Sequence, residues 1–125
     1  MQTSQDVKYI ICGDSYRIWH QLSYRHSQVY FYFDADGRKE MYEVYDDGRI
    51  EEWTLRDVDF SGRWYVVNDS TIHFVHDMSI KIINDDKIIL ENQELNLLKD
   101  VNLINKIKEK IDEDTTSGEN TNWKD

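Results

Sequence analysis

Two Asp-Gly-Arg tripeptides, at residues 36–38 and 47–49, constrain the fold more than any other feature of the sequence. Asp-Gly pairs tolerate the positive φ of tight hairpin turns, and the aromatic-rich runs beside them favour strands. Proline is absent from all 125 residues, so no position blocks the pairing of strands. The tripeptides therefore predict two consecutive hairpins in an all-β protein.

Further turn signals recur along the first three quarters of the chain. Gly13-Asp14, Asn68-Asp69 and residues 84–86 interrupt segments that are rich in β-branched and aromatic residues. Segments of this composition between turns are typical of strands. The predicted strands are 7–11, 15–22, 28–33, 40–45, 49–55, 62–67, 70–76, 78–83 and 87–91. Their even spacing favours consecutive antiparallel hairpins.

After residue 92 the apolar period changes to steps of three and four residues, which predicts an amphipathic helix over 97–111. Its apolar stripe consists of Leu97, Val101, Ile104, Ile107 and Ile111. We expect the helix to dock outside the β-sheet with Val101, Ile104 and Ile107 turned inward. Residues 112–125 are polar and acidic and predict a disordered tail. Residues 1–111 are thus interpreted as one domain.

Negative charge is concentrated in two segments of the chain. The net charge is −10, of which residues 34–59 contribute −6 from ten acids and four bases, and residues 112–125 contribute −4. Such density opposes direct binding to nucleic acid, which needs clustered Lys and Arg. A solvated face is the simplest interpretation, and a surface for a basic protein partner is the alternative. The candidate partner-binding residues are Asp46, Asp47, Glu51 and Glu52.

Signals for membrane insertion or export are missing from the sequence as written. No apolar run approaches the roughly 18–20 residues of a membrane span. Residues 1–7 are polar and show no signal-peptide pattern, which predicts a cytoplasmic protein. An exported or lipid-anchored protein is the alternative if a leader has been removed. Cys12 is the single cysteine, so an internal disulfide is excluded.

Motifs for catalysis or metal binding are weak. An EF-hand loop aligned on Gly37 has Tyr32 at its first ligand position, and an alignment on the second turn glycine fails at the third position. His73 and His76 are three residues apart, which on a strand directs them to opposite faces. No nucleophile elbow, phosphate loop or zinc spacing occurs in the sequence. We therefore expect a non-enzymatic protein without a cofactor or metal.

Four segments give residues 8–92 a family resemblance: CGDSYRIWHQL, VYFYFDADGR, GRWYVVNDSTIHF and SIKIINDDKIILEN. They contain a Gly and a Trp on the first strand, an aromatic Asp-Gly hairpin, a Gly-x-Trp strand at Gly62 and Trp64, and a closing strand pair. In these features the chain resembles the small lipocalin-like domains common in Bacteroidetes. The resemblance implies a calycin-like, up-and-down antiparallel barrel of about eight strands.

A barrel of this size either fills its interior with side chains or holds one small ligand. The rings of Tyr30, Tyr32, Tyr42, Trp53 and Trp64 are large enough to fill it. In a ligand-binding barrel, Tyr32, Tyr42, Trp53 and Trp64 are the candidate pocket residues. The sequence therefore predicts a binding module for a small apolar ligand. The alternative is a small acidic inhibitor or immunity-type protein that acts on a basic protein.

Overall fold

The computed structural model describes residues 3–21, 27–55, 58–59 and 62–116. Its helices are α1 (Ser4–Cys12) and α2 (Val101–Thr116). Its strands are β1 (Tyr16–Gln21), β2 (Ser27–Asp34), β3 (Arg38–Tyr45), β4 (Ile50–Glu52), β5 (Thr54–Leu55), β6 (Val58–Asp59), β7 (Gly62–Arg63), β8 (Tyr65–Asn68), β9 (Thr71–His73), β10 (Asp77–Asn84), β11 (Lys87–Leu90) and β12 (Gln93–Leu97). Neither helix has the length and apolar character needed to cross a membrane within these ranges.

Ten of these strands form one antiparallel sheet, and β5 and β6 form a separate hairpin. The order in the large sheet is β4-β3-β2-β1-β12-β11-β10-β9-β8, with β7 also paired to β3. Most neighbours in the sheet are also neighbours along the chain, as expected for successive hairpins. The prediction of an all-β protein with a C-terminal helix is confirmed.

The sheet is not a fully closed barrel, although one segment, residues 62–68, pairs with a strand close to each of its two edges. At the start of this segment β7 pairs with β3, through Gly62 opposite Lys39, and at its end β8 pairs with β9. Between β7 and β8, the Trp64 amide donates a hydrogen bond to the Gly37 carbonyl at 2.9 Å. Unpaired sheet edges are sites of aggregation, and the two pairings of this segment leave fewer backbone groups unpaired at each edge of the sheet. The sheet thereby curls around an inner face.

Both Asp-Gly pairs form hairpin turns, as predicted. The φ angles are 96° at Gly37 and 88° at Gly48, a region that favours glycine. In the first turn, Asp34 Oδ1 accepts hydrogen bonds from the Asp36 and Arg38 amides at 3.0 and 2.8 Å. Strand β3, which follows this turn, pairs with β2 on one side and with β4 and β7 on the other.

The predicted strand over residues 7–11 is wrong, because this segment belongs to α1. Thr3 and Asp6 form a capping box, in which each side chain accepts a hydrogen bond from the other residue's amide. Val7 and Ile11 are one helical turn apart and are fully buried. The helix ends at Gly13, which has a φ of 64°. β-branched residues at helical spacing were thus mistaken for a strand.

The C-terminal helix begins four residues later than predicted. Leu97 belongs to β12, where it pairs with Trp19 of β1. The sequence did not predict this strand. Asp100 then caps α2, since its Oδ1 accepts hydrogen bonds from the amides of residues 102 and 103. Val101 is 66% exposed, so the expectation that it turns inward is wrong, whereas Ile107 is fully buried. The helix continues to Thr116, so residues 112–116 are not a disordered tail; residues 117–125 lie outside the described ranges.

Successive residues of the central strands point to opposite faces of the sheet and build two separate cores. The inner cluster contains Val7, Ile11, Cys12, Trp19, Phe31, Phe33, Met41, Trp64, Ile72, Phe74, Ile80, Ile88, Leu90 and Leu95. The outer cluster, beneath α2, contains Ile18, Tyr30, Tyr32, Tyr42, Ile107 and Ile111. Helix α1 packs at one end of the inner cluster, where the Trp19 indole donates a hydrogen bond to the Ile11 carbonyl at 2.8 Å.

Candidate functional site

A cavity of about 300 Å³ opens at the end of the inner face that lies away from α1. Its wall is mainly apolar, and its polar lining residues come from the ends of β1, β11 and β12. The lining residues are Gln21, Val29, Phe31, Met41, Trp53, Phe74, Val75, Met78, Leu90, Glu91 and Gln93. A concave, apolar wall with a few polar groups is the usual form of a small-molecule site.

The alternation of side chains along β2 and β3 builds one side of this cavity. Val29 and Phe31 lie two residues apart on β2, and Phe31 is paired with Met41 on β3. The Trp53 amide donates a hydrogen bond to the Met41 carbonyl at 2.9 Å, which fixes the backbone of Trp53 beside that strand. On the opposite side, the Phe74 ring centroid lies 5.6 Å from that of Phe31. These side chains therefore form a continuous apolar surface.

Among the described residues that line the cavity, Glu91 is the one with a charged side chain. It lies in the two-residue loop that joins β11 to β12, where Leu90 pairs with Gln93. Its φ of 56° is unusual for a residue with a side chain. Ser79 Oγ donates to one carboxylate oxygen at 3.3 Å, and His76 Nε2 lies 3.6 Å from the other. The loop thus places a carboxylate at the mouth of the cavity.

A second carboxylate, that of Glu43, adjoins the cavity wall. Glu43 is paired with Val29, and residues opposite each other in an antiparallel pair point to the same face. Its two oxygens accept hydrogen bonds from Ser27 Oγ and the Tyr45 hydroxyl, each at 2.6 Å. The hydrogen bond to Glu43 raises the pKa of Tyr45 above its ordinary value. Glu43 is thus held in position as a hydrogen-bond acceptor.

The four predicted ligand-binding residues do not share one pocket. Trp53 lines the cavity. Trp64 is buried at the other end of the inner cluster, where its indole donates to the Asp34 carbonyl at 2.9 Å and meets the Phe33 ring edge-on. Tyr32 and Tyr42 belong to the outer cluster on the opposite face of the sheet. The prediction that Tyr32 and Tyr42 line the same pocket as the tryptophans is therefore wrong.

The two outer-face tyrosines are instead part of the packing between the sheet and α2. The Tyr42 hydroxyl donates to Asp114 Oδ2, and the Tyr32 hydroxyl donates to Asp34 Oδ2. Burial raises the pKa of both tyrosines far above the ordinary value, and the neighbouring carboxylates raise it further. These hydroxyls are thus donors with fixed partners inside the fold.

The four predicted partner-binding acids surround the turn between β3 and β4. Asp47 and Glu51 form long ion pairs with Arg49, at 3.8 and 3.7 Å, and Asp46 is exposed beside them. Glu52 pairs with Tyr42 and therefore points to the outer face. The turn follows Tyr45, whose strand partner is Ser27, and it lies at the same end of the sheet as the cavity mouth.

A larger cavity of about 460 Å³ lies at the opposite end of the sheet, between α1 and β8. Its lining includes Ser4, Gln5, Lys8, Asp36 and Arg63, so charges of both signs are mixed in it. Trp64 of the inner cluster lines it as well, so this predicted ligand-binding residue borders the larger cavity rather than the smaller one. The smaller cavity is consequently the better candidate for an apolar ligand.

Groups that carry metal or nucleophilic chemistry are dispersed in the described part of the chain. No cluster of three or more His, Cys, Asp or Glu residues in these ranges has the geometry of a metal site. His73 Nδ1 contacts Asp77 at 3.0 Å, whereas His76 contacts Glu91. The thiol of Cys12, the last residue of α1, is buried in the inner cluster, and this burial raises its pKa, which disfavours the reactive thiolate.

Comparisons with protein-family models, with curated proteins and with solved structures found no match for this chain. The resemblance to lipocalin-like domains therefore stays a prediction. Functional proposals for this protein depend on the geometry of the cavity and its mouth.

Sequence analysis missed most of the cavity wall, namely Phe31, Met41, Phe74, Met78 and Leu90. The available signal was the alternation within β2 and β3, where Phe31 lies between Tyr30 and Tyr32 and Met41 directly precedes Tyr42. The turn residues Phe74 and Glu91 gave no comparable signal, because their place in the cavity lining depends on the packing of distant hairpins.

Proposed function

We propose that this protein is a non-enzymatic binding module that holds a small, mainly apolar ligand in the cavity at the open end of its sheet. The observation that carries the proposal is the cavity of about 300 Å³ lined by Phe31, Met41, Trp53, Phe74 and Met78. Its volume lies at the small end of the range for ligand sites. At about 30 Å³ for each water-sized group, it accommodates about ten non-hydrogen atoms.

The size of the cavity also bounds the affinity. Burial of about 200 Å² of apolar ligand surface contributes about 5 kcal/mol before the cost of association is subtracted. Contacts with the aromatic rings and hydrogen bonds at the mouth add to this value. We therefore expect dissociation constants on the order of 1 mM for simple ligands of this size, which corresponds to a net binding free energy of about 4 kcal/mol.

Tryptophan fluorescence provides a direct test, because Trp53 lines the cavity while Trp19 and Trp64 are buried elsewhere. Titration with linear and aromatic compounds of about ten non-hydrogen atoms should change the emission of the wild-type protein. The change should largely disappear in Trp53→Phe, while calorimetry should still detect binding. Binding by calorimetry to none of these compounds would refute the proposal.

A pair of matched variants locates the binding site. Met78→Trp adds bulk within the cavity and should weaken binding at least tenfold, by an order-of-magnitude estimate from overpacking. Val67→Trp makes the same kind of change on β8, where Val67 is exposed and outside the cavity lining, and it should leave affinity unchanged. Far-UV circular dichroism and thermal melting show whether both variants are folded. Equal affinity in the two folded variants would place any binding outside this cavity.

The acidic turn between β3 and β4 supports a second candidate function, that of an inhibitor or immunity-type protein for a basic partner. The Asp47 and Glu51 side chains are about half to two thirds exposed, at 67% and 49%. Exposed acids of this kind accelerate association with a basic surface and make it sensitive to salt. Replacement of Asp46, Asp47 and Glu51 by Lys should abolish capture of such a partner without unfolding the protein. Unchanged capture by the folded triple variant would exclude this mode of action.

A further inference from the structure

The geometry points to a cationic amphiphile as the ligand of the cavity: a compound with an apolar body of about eight carbons and a protonated amine or amidine at one end. This inference rests on the proposed function and specifies the chemistry of its ligand. The apolar body would lie inside the cavity, in contact with the wall formed by Phe31, Met41 and Met78. The cationic group would lie at the mouth, where the described polar residues are carboxylates and amides.

The mouth is rich in hydrogen-bond acceptors. Glu91 contributes a carboxylate to the lining, and Gln21 and Gln93 contribute amide groups. Glu43 is paired with Val29 of the wall, and its carboxylate, held by Ser27 and Tyr45, adds negative charge beside the lining. An ammonium group carries three donors and no acceptor, so carboxylates and amide oxygens complement it directly.

The basic side chains near the cavity have partners in the described part of the protein. At the mouth, His76 Nε2 lies 3.6 Å from a carboxylate oxygen of Glu91. Arg49 lies over the Tyr45 ring at 4.3 Å and between Asp47 and Glu51. Lys39 Nζ lies 4.5 Å from the centroid of the Phe74 ring, and Lys39 is buried within the sheet. Of the described lining residues, none is Lys or Arg. A carboxylate ligand would therefore meet negative charge where it needs a cation.

The acidic turn strengthens this preference over a longer range. Residues 46–48 lie at the same end of the sheet as the mouth, because Tyr45 is paired with Ser27 at that end. Charges within about 10 Å act on each other at an ionic strength of about 0.1 M, and over longer distances at lower salt, so an acidic rim raises the local concentration of cations. The Trp53, Phe31 and Phe74 rings can also attract a cation through their faces. The acidic turn and the cavity mouth thus lie at the same end of the fold.

Three ligands with eight carbons each and different head groups test the inference on the full-length protein: octylamine, 1-octanol and octanoate. Calorimetry near pH 7 at low salt should show octylammonium binding about five- to tenfold more tightly than octanol, and octanoate binding most weakly. The preference for the amine should shrink as salt is added, while the affinity for octanol should hold.

Neutral variants identify the carboxylates responsible. Glu43→Gln and Glu91→Gln should each lower the affinity for octylammonium about threefold and leave octanol binding unchanged. Glu94→Gln removes the same charge from β12, one residue past Gln93 and opposite Ile89 rather than at the cavity, and serves as the matched control. An equal loss in Glu94→Gln would show a general attraction to an acidic protein and overturn the inference.

The results separate this inference from the proposed function. Similar binding of all three compounds, or tightest binding of octanoate, would overturn the cationic preference while the cavity remained a ligand site. Binding of none of them, or binding that Met78→Trp does not weaken, would refute the cavity as the site and with it the inference. Preferential, cavity-dependent binding of octylammonium would support both.

Discussion

The hydroxyl of Tyr42 on β3 donates a hydrogen bond to the carboxylate of Asp114 in α2, at 2.5 Å and across 72 positions of sequence. Tyr42 is almost completely buried in the outer cluster, beside Ile107 and Ile111. This bond attaches the last turns of α2 to the sheet. It also explains why residues beyond 111 are ordered as helix although their composition is polar and acidic.

Tyr42→Phe should make the stability of the protein less sensitive to alkaline pH. Because the pKa of Tyr42 is raised on folding, its stabilising contribution is complete below its ordinary pKa of about 10 and declines as the pH rises above that value. The decline is about 1.4 kcal/mol per pH unit for one such group. Urea denaturation at about pH 9 and about pH 11 should show a shallower decline for Tyr42→Phe.

Tyr9→Phe is the control for this measurement, since Tyr9 is 52% exposed on α1. It should retain the pH dependence of the wild type. Tyr42→Phe should also lose about 1–3 kcal/mol at neutral pH, because a hydrogen bond to a charged acceptor is removed from a mostly buried position. Identical alkaline slopes for all three proteins would contradict this account of Tyr42.

Glu91→Gly should stabilise the protein while weakening amine binding. The φ of 56° at Glu91 lies in the left-handed region, which costs a residue with a side chain about 1–2 kcal/mol. Glycine avoids this strain but loses more entropy on folding, so a net gain of up to about 1 kcal/mol is expected from chemical denaturation. Glu94→Gly, inside β12, should instead lose stability. A loss of the same size in both variants would mean that the loop is not strained.

Ile107→Ala should destabilise the fold by about 2–5 kcal/mol, because it opens a gap between α2 and the outer cluster. Ile107 is fully buried, whereas Val101, which belongs to the same apolar stripe in the sequence, is 66% exposed. Val101→Ala should therefore change the free energy of unfolding by no more than about 0.5 kcal/mol. Denaturation of both variants in urea measures the difference, and similar losses would contradict the observed orientation of α2.

Trp64→Ala should destabilise the protein more than Trp53→Ala does. Trp64 is 2% exposed, donates to the Asp34 carbonyl and packs edge-on against Phe33, so its removal should cost about 3–5 kcal/mol. Trp53 is only partly buried, so less packing is lost there. Thermal and urea denaturation provide the comparison. A greater loss from Trp53→Ala would show that the cavity wall, rather than the end near α1, holds the core together.

Local patterns predicted the parts of the fold that depend on neighbouring residues. The turns at Gly37 and Gly48 followed from Asp-Gly pairs, and the strands beside them followed from aromatic and β-branched runs. The same kind of signal failed for α1, where Val7 and Ile11 fit a strand by composition and a helix by spacing. The capping box formed by Thr3 and Asp6 was the signal that distinguishes the two.

The sequence by itself determined that this chain forms antiparallel hairpins followed by an amphipathic helix, because backbone preferences and alternation are local properties. Only the tertiary structure decided that Tyr32 and Tyr42 lie beneath α2 while Trp53 and Met41 line a cavity. A change of one residue in strand register exchanges the two faces, and both faces of this sheet are covered with aromatic residues. Which face receives the helix and which encloses the cavity therefore depends on packing between distant segments.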